Sequence, residues 1–543
     1  MKKRLVAMLM VTAMTLSLVA CGGSSSTTTE SATTESGEET TVVADGDKDL
    51  IIGCAVDIIT NDPGRAYEIY AGTVINACYD TLFRFESDSD VPQNNLVTSY
   101  EFSEDGLTCT MQLVENATFS SGNALTSADV AFSLMRLKNL QDNPSFIMDT
   151  VDSIDTDGDY TVIFNLNTAD SALISKLTYV ATAILDSAAV IELGGTDADD
   201  AASADTATTA LDAASYGSGP YILESYTPDA EIVLVRNENY WGDTAPYADS
   251  YTIQVMDDAN TQMMAVAQGD IDIAMNLSLD TIGELATTEG VTIDSQSTMT
   301  MVFMYLNMND EYGAVSDPLV QEAIRLAIDY EGILTIAGEG SITPASVVQV
   351  GFDGSLGEST RERDVEAALA LMEEAGYADG LEIDFPVTTL SAEGIPLTDI
   401  AQKLAADLSE IGITLNLETI DWNGGYSDMY RDGTMGATVM YWSPDYQDAV
   451  SQLEFAPGGI VALRAGWTED MASELAALAD EIAIETDATT KAELLIELQE
   501  GIEEEGPFIT LFQCPKHFAY ATGLSGVNYS DSYRLDLREV TAE

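Results

Sequence analysis

His517 is the single histidine of the 543-residue chain. A serine or cysteine nucleophile that needs an imidazole base would have to use it. It stands in an apolar, strand-like stretch, "CPKHFAY", which reads as the setting of a structural histidine. His-Glu-x-x-His, Gly-x-Ser-x-Gly, Ser-x-x-Lys and a glycine-rich phosphate loop do not occur. One histidine cannot build a zinc or nickel site of imidazoles, and Cys54, Cys78, Cys109 and Cys514 have no zinc-ligand spacing. Cys54 and Cys109 lie in apolar runs and read as buried free thiols, with a disulfide as the alternative. "DTDGDY" (Asp155–Tyr160) looks like part of a calcium loop. Its glycine comes at the fourth position, however, and Leu166 stands where the closing Glu belongs, so it reads as a hairpin turn. The 92 acidic residues guarantee that some carboxylate pair has glycosidase spacing, so their abundance carries no signal. These residues imply no metal and no cofactor, and they point away from an enzyme. A surface carboxylate-pair hydrolase is the remote alternative.

Cys21 has a different setting. Met1-Lys2-Lys3-Arg4 is a basic head, and Leu5–Ala20 is an uncharged run of 16 residues. That is shorter than the ~20 residues of a membrane-spanning helix and has the form of an export signal. Leu18-Val19-Ala20-Cys21 resembles the lipobox of bacterial lipoproteins, which implies cleavage after residue 20 and lipid on the Cys21 sulfur. Residues 22–47, rich in Ser, Thr, Glu and Gly, have almost nothing to bury and read as a flexible linker.

The formal charge is −72. Removing residues 1–20 takes away only basic groups and makes the rest more acidic. Nucleic acid and anionic membrane surfaces are poor partners for such a chain, and the charge serves solubility. The length suits several domains at ~150 residues each, and no later stretch has the length and apolarity of a membrane span.

Alternation and turn signals predict the elements that would hold a site. Strands are expected over Leu50–Ile59, in "SYEFSEDGLTCTMQLVENATF" as a hairpin, and in "VDSIDTDGDYTVIFNLN" as another. Helices are expected over Ala71–Cys78, in "DVAFSLMRLKNL", and as one unbroken "DPLVQEAIRLAIDYEGIL" opened by Asp317-Pro318. Residues 186–214 read as a helix or two with an exposed, partly mobile loop. "LEIDFPV", the helix "PLTDIAQKLAADLSEIG" and "ITLNLETI" form a strand–helix–strand unit. "ATVMYWSPDY" is a strand running into a loop, two acidic helices fill 468–504, and "PFITLFQ" is a late strand.

Several of these stretches together resemble the extracellular solute-binding proteins of family 5, receptors of ABC importers for peptides and related solutes. They are "VPQNNLVTSYEFSEDGLTCTMQL", "ATFSSGNALTSADVAFSLMRL", "GSGPYILESYTPDAEIVLVRNENYW", "MAVAQGDIDIA" and "VQEAIRLAIDYEGIL". The resemblance implies an α/β, bilobed fold of the type II periplasmic-binding-protein kind, with mixed sheets and an extra sub-domain. Residues 48–80, 214–297 and 513–543 would form lobe 1, residues 81–213 its extra sub-domain, and residues 298–512 lobe 2, with hinge closure around the ligand.

The same resemblance nominates a site. In "ATVMYWSPDYQDAV", Asp445 matches the aspartate that takes a peptide's α-ammonium group, with Tyr441, Trp442 and Tyr446 as flat walls. Trp422 in "ETIDWNGGY" matches another cleft aromatic. Two departures stand out: Val439 occupies the position of an arginine found six residues before the aspartate, and no Arg occurs between Arg363 and Arg431. Both familiar carboxylate anchors are therefore missing, which weakens a dipeptide reading. The expectation is a lipid-anchored, monomeric substrate-binding protein of an ABC importer on the outer face of the cell membrane. It would capture peptides, oligopeptides foremost, and pass them to a permease. The alternative is the same scaffold holding an oligosaccharide or a cationic small molecule.

Overall fold

Two long antiparallel strands, Val291–Leu306 and Phe508–Ala521, form the spine of the molecule. The first begins with the polar "VTIDSQST" and ends with "MTMVFMYL", and its burial follows the chemistry: half-exposed at the start, fully buried from Met301 to Leu306. A strand covered on both faces requires such an unbroken apolar run. The register between the pair slips between Ser297 and Met301 and again at Val302–Phe303; such irregularities bend and twist a ladder. The computed structural model describes residues 48–542 apart from 56–57, 68–69, 87–90 and 243–245.

The spine lies within an eight-stranded sheet. Beyond Phe508–Ala521 come Ile273–Leu277, Asp49–Cys54, Ser250–Val255, Glu231–Arg236 and Tyr221–Thr227. On the other side the sheet ends at Ala437–Trp442, antiparallel to Met301–Leu306. Three large apolar cores surround it. One gathers residues between Met301 and Cys514, a second residues of 50–79, 180–275 and 518–540, and a third residues of 82–184. The third includes a four-stranded antiparallel sheet made of the two expected hairpins, packed against helix Ser127–Leu140. Thr126 and Asp129 cap that helix reciprocally, which satisfies amides that its first turn leaves free. In the first core, Leu381–Thr388 and Ile413–Ile420 pair in parallel around helix Leu397–Ser409, as the strand–helix–strand pattern predicts.

Four expectations about elements change. The first strand ends at Cys54 rather than Ile59. The expected single helix after Pro318 is two, Pro318–Ala327 and Tyr330–Ala337, because Asp329 turns its carboxylate onto the Gly332 amide and starts a new helix. The late strand runs on through Lys516 and His517 to Ala521. Residues 186–214 are tied down rather than loose. Arg136, fully buried, makes paired hydrogen bonds of 2.7–2.8 Å to Asp62 and of 2.8–3.0 Å to Asp205. The Gly-x-Gly of "GSGPY" is steric: a Cβ on Gly219 would come within 2.5–2.6 Å of the backbone of Ala77, Cys78 and Tyr79. Trp241 of the same motif family donates to the buried Asp80 at 2.9 Å, which Arg538 also binds.

Cys54, Cys78, Cys109 and Cys514 are buried free thiols. The export signal, Cys21 and the linker fall outside the described residues. Among the described residues no helix is long and apolar enough to cross a membrane.

Candidate ligand-binding site

The end strand Ala437–Trp442 and the loop that follows it form one wall of a cavity of about 620 Å³. Asp445, Tyr441, Trp442, Tyr446 and Trp422, the residues nominated from the sequence, all line it. The strand places Tyr441 and Trp442 opposite Val302 and Met301. Ser443 and Pro444 then carry the chain out of the sheet to Asp445. The opposite wall includes Tyr67, Tyr179 and Val180, remote in sequence, and Asp531, Ser532 and Arg534 from the C-terminal segment.

Asp445 is half-buried and accepts a 2.5 Å hydrogen bond from the Tyr67 hydroxyl, across 378 residues of chain. Burial pushes its carboxyl above the usual range; the Tyr67 hydroxyl opposes this, and the charge of Glu454 adds to it. Trp442 meets Phe455 edge to face at 5.9 Å, which anchors the indole to the first core. Trp422 belongs to a cluster with Tyr426 and Tyr430, at 6.0 and 6.4 Å. Tyr446 lies under the Lys176 ammonium at 5.5 Å. Its phenol is pushed up by burial and by Asp170, Asp448 and other carboxylates.

Arg534, which lines the cavity, belongs to a second charged group. Glu393, on the hairpin Ser391–Pro396, bonds Lys516 of the long strand at 2.9 Å and lies 3.6 Å from Arg534. Burial alone would raise the Glu393 carboxyl, but Lys516 and Arg534 outweigh it and hold it below its ordinary value. Asp531 is pushed up to about 7 by burial, although it accepts from the Met299 amide at 3.0 Å. Outside this cavity, further polar contacts tie residues 171–175 to the segments around Asp448 and Ile482. Ser175 donates to Asp448 at 2.9 Å, Lys491 pairs with Asp448 at 3.1 Å, and the Ser171 amide and hydroxyl donate to Ala483 and Ile482 carbonyls at 3.0 Å.

The sequence motifs nominate only one wall. Tyr67, Tyr179, Arg431, Arg464, Asp531 and Arg534 were not nominated. The signal for Tyr67 and Tyr179 is absent, because their place depends on how remote segments meet. Arg431 and Arg464 carried one faint signal, the scarcity of basic residues. His517 is buried with Nδ1 2.8 Å from Ser295 Oγ, its direct partner across the ladder, and does not line this cavity. Burial and Lys516 lower its pKa, favouring the neutral ring. Among the described residues no group of three or more His, Cys, Asp or Glu side chains is placed to hold a metal ion.

Comparison with known proteins identifies the family and the fold. Residues 91–459 match the family described as bacterial extracellular solute-binding proteins, family 5 Middle. The "Probable D,D-dipeptide-binding periplasmic protein DdpA" of Escherichia coli is 24% identical over 408 residues, covering 74% of this chain and 75% of its own. "Heme-binding protein A" of Haemophilus influenzae is 26% identical over 472 residues, covering 81% and 83%. The structure of the ABC transporter-associated periplasmic binding protein DppA from Helicobacter pylori, in complex with peptide STSA, superposes with a TM-score of 0.70 at 20% identity. It covers 91% of this chain and 98% of that one. The fold is that of the bilobed periplasmic binding proteins, mixed α/β with several sheets. The chain belongs to the bacterial extracellular solute-binding proteins of family 5.

Proposed function

We propose that this protein is the lipid-anchored substrate-binding component of an ABC importer and that it captures peptides, oligopeptides foremost, in the cavity beside Asp445. The observation that carries this reading is the half-buried Asp445 carboxylate in a cavity of about 620 Å³, walled by Tyr441, Trp442 and Tyr446. A carboxylate in a poorly hydrated pocket holds an ammonium group more strongly than one in water. The peptide in the Helicobacter pylori relative supports the same class of ligand.

On this reading the lobes are residues 48–80, 214–297 and 513–543, with residues 81–213 as the extra sub-domain, and residues 298–512. The separate apolar cores support that division in outline, while Val180–Leu211 contribute side chains to the second core, with lobe 1. Tyr67–Asp445 and Ser175–Asp448 are then contacts of the closed form, and the two long strands are the hinge. Cys21 carries the lipid, and the protein acts as a monomer at the outer face of the membrane beside its permease, without catalysis. The relative named for heme favours a second reading, in which the aromatic walls hold a non-peptide solute on the same scaffold.

Calorimetry on the mature protein with a peptide library tests the assignment. Free-amine peptides are expected to bind at least ~10-fold more tightly than their N-acetylated forms, about 1.4 kcal/mol, and Asp445→Ala is expected to abolish the difference. Equal affinity of the two forms for the wild type overturns the role of Asp445.

A further inference from the structure

The sequence holds 92 acidic and only 20 basic residues, so a cation that lacks a carboxylate partner stands out. Among the described residues, every Lys and Arg except Lys48, Lys138, Arg431 and Arg464 lies within 4.0 Å of a carboxylate oxygen. Two of the exceptions lie outside the cavity: Lys48 sits 4.8 Å over the Tyr247 ring, and Lys138 donates to the carbonyls of Val151 and Asp152. The other two, Arg431 and Arg464, both line the cavity that holds Asp445.

They also share one aromatic patch. Arg431 lies 6.0 Å over Trp422 and Arg464 lies 4.6 Å over Tyr430, and these two rings are 6.4 Å apart. Ring faces orient a guanidinium but do not neutralise it. Arg464 is partly buried, and its Nε–H has no acceptor among the described residues. Two such cations, each more than 4.0 Å from any described carboxylate oxygen, leave planar, bidentate donors facing the cavity. That chemistry matches a carboxylate.

The patch and Asp445 stand at different ends of the same wall. Tyr430 stacks on Tyr305, whose register partner is Thr438, near the start of the end strand. Asp445 follows the last residue of that strand, Trp442. From Thr438 to Trp442 a strand spans roughly 13 Å at ~3.3 Å per residue, so one extended ligand could touch both.

We infer that Arg431 and Arg464 form an anion-binding end of the cavity, so that the ligand is read at two opposite charges. Its ammonium is held by Asp445, and a carboxylate, at the C-terminus or on an acidic side chain, is held by the two arginines. The ammonium half rests on the peptide reading above; the anion half does not.

The test uses calorimetry with a degenerate tetrapeptide pool bearing free amines, made as the acid, as the C-terminal amide, and as the amide with Glu fixed at the last position. Amidation is expected to weaken binding to the wild type ~10-fold or more. Recovery by the Glu pool identifies a side-chain carboxylate, and lack of recovery identifies the C-terminus. In the double variant Arg431→Gln/Arg464→Gln the acid and amide pools are expected to bind alike, while Arg431→Lys/Arg464→Lys keeps part of the preference and guards against a folding defect. Thermal melting with succinate supplies a readout without peptide: the wild type is stabilised and the Gln double variant is not. Peptides that bind without any preference for the acid overturn the anion end and leave the peptide reading intact. Stabilisation by succinate with no peptide binding does the reverse. Neither response overturns both.

Discussion

At the residue scale, the proposed ammonium-binding role of Asp445 predicts a ligand affinity that depends on pH and on Tyr67. An ammonium group binds the ionised carboxylate, so affinity is present above the Asp445 pKa and is lost as pH falls through it. Burial raises that pKa, and the loss therefore begins at a higher pH than for an ordinary surface carboxylate. The Tyr67 hydroxyl works in the opposite direction. Tyr67→Phe is expected to move the acidic limb of the affinity profile to higher pH, read by calorimetry of a free-amine peptide between pH 4 and 8. An unmoved limb would mean that the hydrogen bond does not tune the carboxylate. Asp445 and its aromatic neighbours were legible because they sit together in one short stretch of sequence. Tyr67 was not, because nothing local in "RAYEIY" says that it faces a residue 378 positions away.

At the scale of elements, the hairpin Ser391–Pro396 is fastened to the long strand Phe508–Ala521 by Glu393 and Lys516, with Arg534 beside them. Glu393 and Arg534 are two of the four non-glycine residues described with positive φ, at 46° and 66°. Such backbone conformations cost energy for side chains with a Cβ, and the buried charge pair offsets it. Glu393→Gln leaves Lys516 buried beside a neutral partner and is expected to cost ~3–5 kcal/mol in denaturant unfolding at neutral pH. The Glu393 pKa is lowered in the fold, so its contribution is present above the ordinary Glu range and fades as pH falls through the lowered value. The gap between variant and wild type should narrow accordingly in acid. A gap below ~1 kcal/mol at neutral pH would show the pair to be incidental.

Most elements here were readable from local rules: the two hairpins, the capping box at Thr126 and the strand–helix–strand unit around Leu397–Ser409. The continuity of the long strand was not, because Pro515 and Lys516 interrupt the apolar pattern between "PFITLFQ" and the strand-like "CPKHFAY". Lys516 is tolerated there only through Glu393, a partner supplied by tertiary structure. The break at Ile328–Asp329 was missed for the opposite reason: helical periodicity continues across it while the Asp329 cap restarts the helix.

At the scale of the molecule, the family and fold follow from motifs spread along the chain, whereas the ligand depends on a cavity whose walls come from both ends of the sequence. The strongly acidic surface favours solubility and repels other copies of itself. The central claim is that the cavity holds a peptide by its free amine. Native mass spectrometry of the protein purified from its own host, followed by fragmentation of whatever it releases, tests this most directly. The account predicts released masses that fragment as short peptides with unblocked N-termini, absent from Asp445→Ala. Release of a sugar, a porphyrin or another non-peptide solute from the wild type, retained equally by Asp445→Ala, would contradict it.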